Sequence, residues 1–92
     1  MRGKIIYSAH VVIQMFKRGI SEAEIEHVLN TGVIIREYPD DKPYPSFLIL
    51  GFRGSIPLHI VYAVSEVGEN VIITAYEPDG ALWNSDYTVK KV

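Results

Sequence analysis

"SFLILGFRGSIPLHIVYAV", residues 46–64, is apolar at nearly consecutive positions, rich in β-branched and aromatic side chains, and interrupted at Gly54-Ser55. Two such runs around a glycine-containing dipeptide read as a hairpin of central strands, each covered on both faces. If Gly54-Ser55 is a two-residue loop, Arg53 pairs with Ile56, Leu50 with His59 and Leu48 with Val61. A titratable ring, His59, then falls in the middle of a sheet. "VIITAYE", residues 71–77, has the same character and follows Gly68-Glu69. As a second two-residue turn, that dipeptide sets Val61 opposite Tyr76 and Ala63 opposite Thr74.

These registers sort the side chains by face. One face carries Ser46, Leu48, Leu50, His59, Val61, Ala63, Thr74 and Tyr76. The other carries Phe47, Ile49, Leu58, Ile60, Tyr62, Val64, Ile73 and Ala75, is the more continuously apolar, and is expected under helices. His59 and Tyr76 then share the open face. Because side chains alternate with period two, a one-residue slip of the last strand would put Glu77 in the place of Tyr76.

Upstream, "VIIREY" (33–38) reads as an edge-like strand and "PDDKPYP" (39–45) as a loop whose prolines keep it out of a sheet. Before it stand two helices. Ser8 is placed as the N-cap of "AHVVIQMFKR", with Val11, Val12, Met15 and Phe16 on one side, Ala9 at its edge, and His10, Gln14, Lys17 and Arg18 as a polar stripe. Gly19 suits the left-handed residue that ends this helix, with Ile20 as the accompanying apolar contact. Ser21 and Glu24 have capping-box spacing, Ile25, Val28 and Leu29 form the second core stripe, and Gly32 closes that helix. Lys4 to Tyr7 is a short β-prone run. After "EPDG" (77–80), "ALWNSDY" (81–87) is expected to add one helical turn that docks Trp83 on the core, and "TVKKV" (88–92) to be a loose tail. The order β-α-α-β-β-β-β gives one α+β domain, ordered from about residue 4 to 84, with a helical pair on one face of an antiparallel meander.

Composition agrees with a single small globular domain: 92 residues, 48% apolar, 22% charged. No apolar run approaches the ~20 residues of a membrane helix, and the start is too poor in apolar residues for a signal peptide, so the cytoplasm is the expected location. The absence of cysteine removes disulfides, thiolate ligands and thiol nucleophiles. A formal net charge of −2 argues against nucleic-acid binding by the whole surface, though not by a local patch.

"SAHVVIQMFKRGISEAEIEHVLNTG", "YPDDKPYPSFLILG", "PLHIVYAV" and "VIITAYEPD" resemble the domain-of-unknown-function family numbered 4258, from Tyr7 to about Trp83. The motifs that carry the likeness are Ser8-x-His10, Arg18-Gly19-Ile20-Ser21 and Tyr76-Glu77-Pro78-Asp79. That family in turn resembles the RelE/ParE toxin superfamily, some members the MqsR type. The resemblance implies a RelE-like fold and either endoribonuclease activity on messenger RNA, free or at the ribosome, or binding of an antitoxin protein.

Metal-independent RNA cleavage needs a base for the ribose 2′-hydroxyl, an acid for the leaving oxygen, and cations for the phosphorane charge. The candidates are His59, Tyr76 and His10 for proton transfer, and Arg18, Arg36 and Arg53 for phosphate. Each has a structural reading beside it. His59 can bond to Glu77 or backbone, His10 can tie the helices to the sheet, and Arg18 suits a helix C-terminus. His27 falls on the solvent side of its helix. Asp40 and Asp41 suit a turn, while Tyr38, Tyr44 and Phe52 can stack bases or cap a small core. No two histidines share i, i+3 or i, i+4 spacing, so no metal site is expected, nor any cofactor. The rival function is a non-catalytic binding module, whose strand Val33 to Tyr38 and apolar open face would receive an antitoxin segment or a second copy of the chain.

Overall fold

A computed structural model describes residues 3–91; Met1 and Arg2 of the basic start and Val92 of the tail lie outside the described residues. The elements are β1 (Ile5–Tyr7), α1 (Ala9–Arg18), α2 (Glu22–Thr31), β2 (Val33–Tyr38), β3 (Ser46–Arg53), β4 (Ile56–Val64) and β5 (Asn70–Tyr76). The strands form one sheet in the order β1-β5-β4-β3-β2, with β1 parallel to β5 and the other pairs antiparallel. Both helices lie on one face, an α+β arrangement of the expected kind.

Local chemistry sets the helix ends. The Ser8 hydroxyl accepts from Val11 N–H at 3.2 Å, satisfying one of the orphan donors of α1. Gly19 ends the helix at φ 67°, and Ile20 N–H returns to the Met15 carbonyl at 2.9 Å while its side chain is buried. At α2, Ser21 and Glu24 exchange both bonds of a capping box, at 3.1 and 2.9 Å. Gly32 differs from expectation: its backbone is extended, with φ −77°, so left-handed geometry is not what requires glycine there. A Cβ on Gly32 would stand 2.6 Å from the Leu50 carbonyl oxygen, so close approach to β3 is the reason. Gly51 has the same role in reverse, since a Cβ there would stand 2.6 Å from a Val28 methyl of α2.

The core between helices and sheet comprises Val11, Met15, Ile20, Ile25, Val28, Leu29, Ile49, Leu58, Ile60, Tyr62, Ile72 and Ala75. The expected stripe of α1 is therefore only half right, because Val12 and Phe16 point outward. The roll of the helix is fixed by its polar stripe. Gln14 and Arg18 reach the Thr74 hydroxyl, and Arg18 also donates to the Ala75 carbonyl at 2.8 Å. Strand β1 pairs only with Asn70 to Ile72, so beyond it the edge of β5 is open and takes this bond.

The β3/β4 register is the expected one, with Leu50 opposite His59 and Leu48 opposite Val61. The β4/β5 register is not. His59 pairs with Tyr76 and Val61 with Thr74; a bulge follows, after which Tyr62 pairs with Ile72 and Ala63 with Val71. Residues 65–69 form a longer loop, closed by Ser65 N–H to the Glu69 carbonyl at 2.9 Å, with Gly68 at φ 82°. Before the bulge the displacement is two residues, so parity survives there and Tyr76, not Glu77, stays beside His59; after it the displacement is three. The bulge gives the place on the open face to Ile73 and leaves Ile72 in the core, while the Thr74 hydroxyl is bound by α1.

The C-terminal segment also departs from expectation. A turn at Asp79 to Trp83 does not continue as a helix, and residues 82–91 fold into a small hairpin with Trp83 bridged to Lys90 and Lys91 N–H bonded to the Leu82 carbonyl at 2.8 Å. Asn84 and Asp86 hold its turn through bonds to Thr88. Trp83 is buried, but on the open face of the sheet and not on the helical core. No helix among the described residues is long and apolar enough to cross a membrane.

Candidate functional site

Register places Val33, Leu50, His59 and Tyr76 in one row across the open face, with Arg36, Leu48 and Val61 in the next. His59 points away from the helices, and its Nδ1 lies 3.2 Å from the Tyr76 hydroxyl. The two proton-transfer candidates on the sheet are thus neighbours. Tyr76 is partly exposed, but His59 is closed to a substrate. The Trp83 ring meets the His59 ring edge-on at 4.4 Å, the Tyr87 carbonyl lies 2.8 Å from Nε2, and His59 is 0% exposed.

A carbonyl only accepts, so Nε2 carries the proton and donates it to Tyr87, which leaves Nδ1 to accept from the Tyr76 hydroxyl. Both ring nitrogens are used. Burial holds the imidazole pKa below its ordinary value, partly opposed by the Tyr87 bond, and burial also pushes the Tyr76 phenol up, aided by nearby Tyr38. Transfer of the phenol proton to the ring would create a buried imidazolium and a phenolate, and each environment opposes its charge. The neutral pair is the state the site is built for. Tyr87 reaches His59 from a left-handed backbone, φ 63°, uncommon for a residue with a Cβ.

The remaining candidates are dispersed. His10 is exposed on α1, across the sheet from His59, with Nε2 2.9 Å from the Gln14 amide nitrogen. Arg18 is tied to the β5 edge as described. Arg53 donates to the Gly19 carbonyl at 2.7 Å and meets Glu24 at 3.4 Å and Glu77 at 3.9 Å. It clamps the helix–helix link to the end of β3, with its Nε buried and without a partner. Only Arg36 of the candidate arginines shares the face of His59, exposed on edge strand β2. Among the described residues, no three His, Asp or Glu side chains gather to hold a metal ion.

Beside the pair lies an open hollow of about 610 Å³, floored by Val61 and Ile73 and rimmed by Glu37, Tyr38, Asp40 and Asp41. Asp41 also anchors the loop, accepting from Ser46 at 2.6 Å and from Lys42 N–H at 3.0 Å. Three carboxylates at this rim are the wrong sign for a phosphate chain. Sequence reasoning found the His59–Tyr76 pair through face parity. It missed Trp83 and Tyr87 as its cover, because nothing in "ALWNSDYTVKKV" has a strand or helix period.

No curated protein and no solved structure matches the chain. The model of the family described as domain of unknown function DUF4258 matches residues 7–77, from the end of β1 to just past β5 and short of the segment that covers His59. With well over half its length matched, the chain belongs to that family.

Proposed function

We propose that this protein is a non-catalytic protein-binding module, built on a scaffold that resembles the RelE/ParE toxins and fitted to receive a partner protein of the antitoxin kind. One observation carries the reading: the His59 imidazole, beside a phenol on the open face, is fully buried, with both nitrogens engaged by the chain itself. A general base must present a lone pair to the proton it removes, and His59 presents none. The acid-rimmed hollow supports the same conclusion, as does the use of Arg18 and Arg53 to hold backbone carbonyls. A partner protein is favoured by the exposed apolar side chains Val33 and Ile34 on edge strand β2 and by those on α1.

The 3.2 Å contact of His59 with Tyr76 favours a second reading, a messenger-RNA endoribonuclease, alone or at the ribosome, whose pair works once residues 79–91 lift away. Induced expression with and without the adjacent gene separates the two. Growth and transcript integrity are scored for the wild type, His59→Ala and Tyr76→Phe. The module reading expects neither growth arrest nor transcript cleavage in any of them. Arrest with cleavage in the wild type, lost in both variants, would replace it with the nuclease.

A further inference from the structure

Helix α1 carries more apolar surface than the sheet can cover. Val11 and Met15 face the core, yet on the opposite side Phe16 is 88% exposed, Ile13 55% and Val12 45%. Their i, i+3 and i, i+4 spacing sets them in one strip along the helix. A helix that is apolar on two faces belongs between two layers, and here only one is present. An aromatic ring standing almost wholly in water at the end of an apolar strip is the usual anatomy of a binding anchor.

The charge around the strip indicates what covers it. Helix α1 contains no Asp or Glu, and the first acidic residue of the chain is Glu22. Lys17, one turn on from Ile13, borders the strip, and Arg18 follows with its guanidinium held by the Ala75 carbonyl. A second α1 packed on this one would bring lysines and arginines together without a carboxylate between them. Helix α2 of a second copy would bring carboxylates, but its exposed positions Glu22, Ala23, Glu26, His27 and Asn30 offer no large apolar side chain. Pairing with α1 or α2 of a second copy therefore fits poorly. A lipid surface fits poorly too, since the opposite face of α1 is occupied by β5 and only a three-residue strip is available to insert.

We propose that the outer face of α1 docks an acidic amphipathic helical segment of a partner protein, with Phe16 and Ile13 as apolar anchors and Lys17 as the charge contact. The proposal rests on the binding-module reading and adds the surface and the chemistry of the partner. It uses the helix-on-helix mode, in which apolar anchors at i, i+3 and i+4 interdigitate and flanking charges set the choice of partner.

The test uses the full chain and two designed helical peptides with leucines at i, i+3, i+4 and i+7, one flanked by glutamates and one by lysines. Fluorescence anisotropy reads binding. The glutamate peptide is expected to bind on the order of tenfold or more tightly than the lysine peptide, and less tightly as salt is raised. Phe16→Ser and Ile13→Ser are each expected to weaken it by roughly tenfold, and Lys17→Glu to reverse the peptide preference. Because Phe16 is 88% exposed, Phe16→Ser is expected to keep the thermal midpoint of the wild type, which shows that lost binding is not lost folding. Failure to bind the glutamate peptide, equal binding of both peptides, or indifference to Phe16→Ser overturns the proposal. So does a Phe16-dependent dimer in sedimentation, or Phe16-dependent binding to vesicles of anionic lipid. An RNA oligonucleotide incubated with the same protein keeps the two readings apart: its cleavage would overturn the module reading, whereas the peptide arms decide the α1 surface.

Discussion

The Nε2 of His59 donates to the carbonyl of Tyr87 at 2.8 Å, a bond that joins the middle of β4 to a residue 28 positions further along the chain. The Tyr76 hydroxyl donates to Nδ1, and it is this second bond that requires a neutral ring. Burial lowers the folded-state pKa of the ring below its ordinary 6.5, so the unfolded chain binds the proton first as pH falls. Stability is then complete above about 6.5 and declines as pH drops below it toward the folded-state value. Glu24 and Asp86, whose carboxyls are held below their ordinary values of 4.5 and 3.8, add their own loss only in more acid solution. Denaturant midpoints measured from pH 8 to 5 are expected to fall. A His59→Gln variant, less stable overall, is expected to show a flatter profile; an equally steep one would assign the slope to other groups.

Trp83 is the sole tryptophan and stands edge-on to His59 at 4.4 Å, so its fluorescence reports the seating of residues 79–91 on the sheet. Trp83→Ala removes a buried ring and uncovers His59, at a cost of about 3 kcal/mol. For a domain of this size that is a fall of roughly 15 °C in the thermal midpoint. The variant is expected to gain no activity on RNA, because the acidic rim of Glu37, Asp40 and Asp41 and the tied Arg18 and Arg53 are unchanged. Cleavage of RNA by Trp83→Ala, absent in Trp83→Ala/His59→Ala, would show a latent nuclease.

How far the sequence revealed this arrangement depends on where local signals dominate. Ser8, Gly19 and the Ser21–Glu24 box act within one helical turn, and each does what its spacing implies. The Gly54-Ser55 hairpin is equally local and gave Leu50 opposite His59. The β4/β5 pairing depends on a bulge at Ile73 and on Ser65 closing a longer loop, neither of which has a composition of its own, so only parity could be read. The roll of α1 is set by Arg18 reaching a carbonyl that β1 is too short to cover, a long-range fact that inverted Phe16 from core to surface. For the candidate site the pair was legible and its cover was not, because the cover contributes a backbone carbonyl, which every residue has.

Arg53 joins three elements at once: the end of α1 through the Gly19 carbonyl, α2 through Glu24, and the residue after β5 through Glu77. The bond to the carbonyl is the shortest and the least dependent on salt. The ion pairs are half in water and contribute little. Arg53→Ala is expected to lower stability by about 1–2 kcal/mol, with most of the loss persisting in high salt. If 1 M salt abolished the difference between wild type and variant, the pairs with Glu24 and Glu77 would carry the effect instead.

Gly51 on β3 and Val28 on α2 fix how closely helix and sheet approach. An added Cβ at Gly51 would lie 2.6 Å from one Val28 methyl and 2.8 Å from the other, distances that side chains do not sustain, so helix or strand must shift. Val28 is fully buried, and its own Cβ would lie 3.0 Å from the added one, so rotating its methyls does not clear the contact. Gly51→Ala is therefore expected to cost about 1–3 kcal/mol despite adding apolar volume. Val28→Ala alone leaves a small void and also destabilises, by about 1–2 kcal/mol. Together the two changes put a methyl where methyls were removed. The double variant is expected to be more stable than the sum of the single losses allows, with a coupling of about 1 kcal/mol or more in a double-mutant cycle. Additive losses would mean that the glycine is required for the backbone of β3 and not for the approach of α2.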